Sequence, residues 1–365
     1  MSVEIWPPIA PEKLKIAVET TQKRELDWLI EELHETLTNL KHGLEDCYAL
    51  LAPIDPGSTL VLSTPRNETI KGHVTRVGTR IVKGTIYLRM RTLPHQTLTI
   101  SPDHPIHLWS LTSLNTLLTH SIDLLTLTLS YSYPSEPVVT TATRSPSISS
   151  EPAPVSSPDF LAAQLRLLSQ SLSEASSILK GPPLTTADPS WTTRSVSPSH
   201  FSPPPIPPHS SSSSHSNKAP PLSFHLGIQD SCLVLWLRSL EPADAPVNFS
   251  TKLALAIGTT RRLEHDESER VFGFCCSELE EPSSSGHSHG GRTSTPASLQ
   301  RHQSNPVATS GRREVEVYVR EKVRVESADP SLLSLSSKLT SLGQMLAVAR
   351  RNLAAVMGEE EQLED

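Results

Sequence analysis

The chain has 365 residues, a net charge of −7, only 36% apolar residues and 32 prolines. A packed domain of this length is normally richer in apolar residues, so we expect ordered elements that alternate with polar, disordered inserts. No basic stripe is present, which argues against nucleic acid as a partner. No apolar run reaches the roughly 20 residues that a membrane-spanning helix needs, so no membrane insertion is expected.

The cysteines predict a reducing compartment. Cys275 and Cys276 are adjacent, and Cys47 and Cys232 lie far from them, so they form no disulfide framework. The first residues also lack the basic and then apolar pattern of a secretory signal. We therefore expect a cytoplasmic protein with reduced thiols, with the nucleus left open as a second location.

The first predicted helix covers residues 11–52, between Pro11 and Pro53. Its apolar residues alternate spacings of four and three, which is an unbroken heptad seam. The seam begins with Leu26, Ile30, Leu33, Leu37, Leu40 and Leu44. No basic region precedes it, so a DNA-binding zipper is not indicated. The residues flanking the seam are mostly uncharged, which favours burial within the chain over a two-stranded dimer.

Trp28 lies opposite this seam and is our candidate partner contact. An exposed tryptophan is often the residue that anchors a protein partner. The alternative is that a predicted β module of the same chain covers it. The sequence leaves both interpretations open.

Strand-like segments follow the first helix and recur later, and they define a predicted β domain at 57–101, 221–276 and 313–327. Turns near Val77-Gly78 and at Asp230-Ser231 predict two hairpins. Leu253–Ile257 is predicted as a further strand.

Three more helices are predicted at 103–130, 157–180 and 329–358. A strand at Leu124–Leu129 is the alternative within the first of them. Asp329-Pro330 supplies a cap and a first turn for the last helix, and Gly358 ends it. The seam of the last helix contains Leu332, Leu335, Leu339, Leu342, Leu346 and Leu353.

The order of these elements predicts an α+β fold. We expect an elongated antiparallel helical bundle formed by the N- and C-terminal helices, because several apolar stripes can bury against each other. An antiparallel β module is inserted into it. The segments 134–156, 182–220 and 278–312 are predicted as long disordered loops.

No motif predicts catalysis, a cofactor or a metal site. Gly286–Gly290 fits the G-x-S-x-G pattern of a serine nucleophile, but the chemistry needs a strand before Ser288 and a helix after it. The surrounding serine, glycine and histidine tract predicts neither, so a serine hydrolase is a disfavoured alternative. His287 and His289 lack the four-ligand scaffold of structural zinc.

Four stretches follow the order of elements in one known family. They are Arg24–Leu37 with its Trp-Leu element and heptads, Lys71–Gly78 continuing to Ile86–Met90, Leu222–Pro242, and Val315–Glu326 with the last helix. Together these stretches resemble the Rogdi family. They cover most of the residues predicted to be ordered, while the long serine- and proline-rich inserts depart from the family pattern.

The resemblance implies a helical bundle with a β module and a scaffolding role. It implies a non-catalytic subunit of RAVE, the regulator of the ATPase of vacuoles and endosomes, which promotes V-ATPase assembly and so acidification. The implied partners are the large β-propeller subunit of RAVE, a Skp-type adaptor and the V-ATPase peripheral sector. The subunit would be recruited peripherally to vacuolar and endosomal membranes. A coiled-coil scaffold of another trafficking or signalling complex is the alternative.

Overall fold

The computed structural model describes residues 10–52, 56–132, 157–183, 189–205, 222–243, 265–268, 270–276 and 313–358. This part of the chain is α+β, with five α-helices and two antiparallel sheets. The helices are α1 Pro11–Leu51, α2 Trp109–Ser132, α3 Pro158–Lys180, α4 Trp191–Arg194 and α5 Pro330–Met357. The predicted inserts 134–156 and 278–312, and the predicted strand Leu253–Ile257, lie outside the described residues.

The four long helices pack against one another. α1 contacts α5 and α2, and α3 contacts the same two helices. Lys338 Nζ lies 2.8 Å from Asp46 Oδ2. One turn further along α5, Leu342 packs over Gly43, where an added Cβ would collide with it. Later residues of α5 therefore meet earlier residues of α1, and the two helices are antiparallel.

Helix α2 begins at Trp109, so the predicted start at residue 103 is wrong. Pro105 disfavours a helical conformation at the residue before it, and Ile106–His107 forms a short strand instead. The alternative strand at Leu124–Leu129 is also wrong, because the helix continues to Ser132. Its buried side chains, among them Leu118 and Leu125, lie on one helical face, and that face packs against α1 and α3.

The first sheet has the strand order β1-β2-β3-β4, with β5 beside β3. Its strands are β1 Ser58–Ser63, β2 Ile70–Val77, β3 Arg80–Leu88, β4 Gln96–Thr99 and β5 Ile106–His107. Gly78 has a φ of 61° in the turn between β2 and β3, a conformation that glycine adopts without steric cost. The hairpin predicted there is confirmed.

The second sheet has the strand order β6-β7-β9-β8. Its strands are β6 Leu222–Gln229, β7 Cys232–Pro242, β8 Val271–Cys276 and β9 Arg313–Ala328. Asp230 and Ser231, with φ values of 48° and 60°, form the two-residue turn between β6 and β7. Positive φ at both central residues is the requirement of a type I′ hairpin turn, so this predicted hairpin is also confirmed.

One continuous apolar core joins the long helices to both sheets. β1 of the first sheet also contacts β9 of the second. A second, smaller core surrounds Trp191 and contains Leu240, Phe274, Val317 and Val319. The larger core therefore continues from the long helices into both sheets.

Residues 189–205 correct the prediction that all of 182–220 is disordered. Trp191 is 1% exposed within the smaller core, and the Phe201 ring packs on Phe224 with centroids 4.9 Å apart. Val196 N donates to Phe224 O at 2.7 Å, which attaches the segment to the edge of β6. The prediction failed because the buried rings of Trp191 and Phe201 order this stretch, although its sequence has no apolar periodicity. Residues 184–188 and 206–220 lie outside the described part.

Candidate interaction surface

The N-terminal part of α1 extends beyond α5. α1 has 41 residues and α5 has 28. The antiparallel register set by Asp46 and Lys338 brings the end of α5 level with Trp28. Residues 11–25, which we call the overhang, lie beyond that level and are all exposed. At about 1.5 Å per residue the overhang is roughly 22 Å long.

The sequence explains why packing stops where the overhang begins. Continuing the heptad spacing back from Leu26 gives Lys23, Glu19, Ile16 and Glu12, of which only Ile16 is apolar. The seam therefore has only one apolar residue in the overhang, too few to continue the packed stripe. Leu14 and Val18, four residues apart, are exposed there on one side of the helix, and Ile16 is exposed on another.

The seams of α1 and α5 are buried within the chain. All the predicted seam leucines from Leu33 onward are buried, whereas Leu26 and Ile30 are partly buried at the start of the packed region. Leu29 is also buried, although it is not one of the seam residues. In this chain the leucine-rich stripe of α1 packs against α5 and α2.

Trp28 is 64% exposed, on the side of α1 opposite its buried residues. The described strands do not cover it. Whether it contacts a partner stays a prediction.

Four glutamates share this side of the helix with Trp28. Glu25 stands three residues before it, and Glu31, Glu32 and Glu35 stand three, four and seven residues after it. These spacings place side chains on one helical face. We call Glu25, Trp28, Glu31, Glu32 and Glu35 the Trp28 face. All five are exposed, and within the described ranges none of the four glutamates forms an ion pair.

Further exposed apolar side chains lie at the same end of the helices. α2 leads away from the first sheet and α3 leads back toward the second, so the end of α2 and the start of α3 are far from the sheets. Leu127 and Tyr131 on α2 and Phe160 on α3 are exposed there. Exposed apolar side chains at this end are therefore not confined to α1.

A second polar region lies beside the second sheet and borders a cavity of about 1220 Å³. The Arg238 guanidinium donates to both carboxylate oxygens of Glu267, at 2.7 and 3.0 Å. Lys322 Nζ lies 2.7 Å from Glu267 and 2.8 Å from Asp266. Burial opposes ionisation of Glu267, but the hydrogen bonds from Arg238 and Lys322 prevail and lower its pKa.

Two tryptophans complete this region. The Arg238 guanidinium lies 4.6 Å from the Trp191 ring centroid, and Lys322 Nζ lies 4.8 Å from that of Trp236. Arg238 Nη1 and Trp191 Nε1 are buried and have no acceptor among the described residues. Sequence reasoning missed this region, because its members are far apart in sequence. The one available signal was an isolated tryptophan, Trp191, in a serine- and threonine-rich stretch.

The serine and histidine motifs considered in the sequence belong to neither of these two surface regions. Ser288, His287 and His289 lie outside the described residues. In the part of the chain that the structure describes, no group of histidine, cysteine, aspartate and glutamate side chains is arranged to hold a metal ion. Among the described helices, none has both the length and the apolar content to cross a bilayer.

The family follows from a comparison of the whole sequence. Residues 25–354 match the family model described as Rogdi leucine zipper containing protein. The chain belongs to the Rogdi family. A comparison with curated proteins found no match.

The Rogdi match covers both seams, both sheets and the whole Trp28 face. It begins at Glu25, one residue before the first seam leucine, and it ends in the last turn of α5. The overhang before Glu25 falls outside the match. The leucine zipper of the Rogdi description corresponds here to apolar stripes that the described helices bury against each other.

Proposed function

We propose that this chain is a non-catalytic subunit of a RAVE-type complex that promotes V-ATPase assembly and so vacuolar and endosomal acidification. The observation that supports an assembly role is α1, which buries its seam within the chain yet exposes Trp28 on the opposite side. Tryptophan is enriched among the residues that dominate binding energy at protein interfaces. Membership of the Rogdi family supports the choice of complex.

In this proposal the four long helices form an elongated antiparallel bundle that holds the surface of α1 rigidly relative to the sheets. The chain binds the large β-propeller subunit of RAVE in company with a Skp-type adaptor, and it acts on the V-ATPase peripheral sector. These partners recruit the chain from the cytoplasm to vacuolar and endosomal membranes. The chain itself contributes binding surfaces and no chemical step.

Affinity purification of the tagged full chain tests the assignment. We expect the propeller subunit and V-ATPase peripheral subunits to co-purify with the wild type. Leu37→Asp should lose them, because Leu37 is fully buried and an unpaired buried carboxylate costs several kcal/mol. Trp28→Ala should lose them while the protein stays folded. Trp109→Ala is the matched control, since Trp109 is 67% exposed on α2.

A vacuolar pH-sensitive dye provides the cellular readout. Cells that lack the protein should acidify poorly, and the wild-type chain and Trp109→Ala should restore acidification. Normal acidification in the absence of the protein would contradict the V-ATPase assignment. Recovery of a different set of trafficking or signalling subunits would support the alternative scaffold instead.

A fluorophosphonate probe tests the non-catalytic part of the proposal. We expect no labelling of the wild-type chain and no effect of Ser288→Ala on partner recovery or acidification. Stoichiometric labelling that Ser288→Ala abolishes would show a reactive serine and refute a purely structural role.

A further inference from the structure

We propose that the Trp28 face binds a lysine- and arginine-rich segment of a partner protein. The inference rests on the proposed function, because it names the chemistry of a partner at that surface. Residues 25–35 contain Glu25, Asp27, Glu31, Glu32 and Glu35 and no lysine or arginine. Along α1 the nearest basic residue on the same helical side is Arg24, four residues before Trp28.

The chemistry of the face favours cations over other ligands. A tryptophan ring attracts ammonium and guanidinium groups to its face, and it does so better than the other aromatic rings. Carboxylates on the same helical side add ion pairs to that attraction. Because Trp28 is exposed and its four glutamates have no ion-pair partner among the described residues, all five groups are available to one basic segment.

The second sheet of this protein contains an arrangement of the same kind. Lys322 Nζ lies 4.8 Å from the Trp236 ring centroid. The same ammonium lies within 2.8 Å of carboxylate oxygens of Asp266 and Glu267. A cation held by two carboxylates over a tryptophan ring is therefore a contact that this fold already makes, and the Trp28 face offers the ring and the carboxylates without the cation.

A second copy of the chain is the alternative occupant. Two Trp28 faces in direct contact would place like charges opposite each other, which is unfavourable at an interface. The overhang does carry Lys13, Lys15, Lys23 and Arg24, but glutamates are interspersed among them, and Lys15 already lies 3.9 Å from Glu19. A basic segment without acidic residues fits the face better than the overhang of a second copy.

Fluorescence anisotropy with labelled synthetic peptides tests the proposal on the purified full chain. The probes are a lysine–leucine helical peptide and a glutamate–leucine peptide of equal length. We expect the basic peptide to bind and the acidic one not to bind. Affinity should fall by about tenfold or more when salt rises from roughly 50 mM to 300 mM, because the Debye length shortens over that range.

Two variants and two controls place the binding on the Trp28 face. The first variant is Trp28→Ala, and the second is a triple variant with Glu31→Lys, Glu32→Lys and Glu35→Lys. Each should lower the affinity for the basic peptide by about tenfold or more. Trp109→Ala should bind like the wild type. A triple variant with Asp103→Lys, Asp123→Lys and Glu174→Lys changes the net charge equally at exposed positions on other elements, and it should also bind like the wild type. Circular dichroism melts check that each variant is folded.

Each remaining outcome is decisive. If both triple variants lower the affinity for the basic peptide equally, the peptide is attracted by the overall charge of the protein, and a site on α1 is refuted. A dimer in sedimentation that only the α1 triple variant dissociates would identify a second copy as the occupant and refute the proposal. If the wild type recovers V-ATPase subunits and the α1 triple variant recovers them equally, the basic-segment inference fails alone. If the peptide binds as expected but no such subunits are recovered, the proposed function fails alone.

Discussion

Arg76 and Asp329 form a buried ion pair that joins the first sheet to the last helix. Arg76 Nε lies 2.5 Å from Asp329 Oδ2, and the two side chains are 3% and 0% exposed. A bulge in β2 between Thr75 and Arg76 shifts the register there, and Val74, Thr75 and Arg76 are all buried in succession. Arg76 also donates to Gly78 O at 2.6 Å, and Asp329 Oδ1 accepts from Ser331 N at 3.0 Å, which caps α5.

Removing one partner of this pair should destabilise the fold strongly. Asp329→Ala loses the helix cap and leaves the Arg76 charge buried without compensation, so we expect the free energy of unfolding to fall by about 3–5 kcal/mol. Urea denaturation measures the change. Glu68→Ala is the control, because Glu68 pairs with Arg66 at 3.9 Å on the surface and should have an effect within about 0.5 kcal/mol. Equal effects of the two substitutions would contradict a structural role for the buried pair.

The contact between Gly43 and Leu342 offers a test of the α1–α5 register. Gly43→Leu should lower the free energy of unfolding by about 1–3 kcal/mol, because the new side chain would occupy the position of Leu342. Adding Leu342→Ala should recover part of that loss by making room. Thermal melts of the two single variants and the double variant measure the coupling. Strictly additive losses would mean that the two residues do not meet.

The segment 189–205 and the insert that follows it should respond differently to change. Trp191→Ala removes a fully buried ring, so we expect a loss of about 3–5 kcal/mol. Replacing residues 206–220 by a short flexible link should change stability by less than about 1 kcal/mol, because loop closure costs only about 0.6 kcal/mol per doubling of length. Urea titrations of both proteins, with Trp109→Ala as a surface control, test the contrast. A large loss on shortening 206–220 would show that the insert contributes to the fold.

Cys47 should be unreactive and should make stability depend on pH in alkaline solution. Burial raises the pKa of its thiol to about 11 from 9.0. The unfolded chain releases this proton from about pH 9, whereas the folded chain keeps it until about pH 11. The contribution of Cys47 to stability is therefore complete below pH 9 and is lost as the pH rises from 9 to 11.

Iodoacetamide at pH 8 should label the partly exposed Cys275 in the native protein and spare Cys47. The alkaline loss of stability, followed by urea titration, should be shallower in Cys47→Ala. Rapid labelling of Cys47 in the folded protein would contradict its burial.

Local chemistry explains what the sequence predicted well. Helix ends and hairpin turns each depend on residues within a few positions of one another. The examples here are the cap of α5 at Asp329, its end at Gly358, and the turns at Gly78 and Asp230-Ser231. Heptad spacing likewise located the buried side of α1, and it placed Trp28 on the opposite side. Such features leave a signal in a short window of sequence.

Long-range polar pairs leave no such signal. Arg76 and Asp329 are 253 residues apart, and neither position belongs to an apolar period that would have predicted its burial. The same holds for Arg238 and Glu267 beside the cavity. The order of residues 189–205 was missed for a related reason, since Trp191 and Phe201 find their partners on β8 and β6. Helical spacing was enough to place Trp28 opposite the seam, whereas the region around Trp236 depends on the completed sheet.

The pairing of the first helix with the last has a consequence for synthesis on the ribosome. Asp46 and Lys338 are 292 residues apart, so α1 is translated long before its antiparallel neighbour exists. At about 5–20 residues per second, the ribosome needs roughly 15–60 s to produce that neighbour. During this time α2 can cover only part of the leucine stripe of α1, because the rest of that stripe packs against α5. The nascent chain therefore exposes an apolar, aggregation-prone surface on α1 until α5 leaves the exit tunnel.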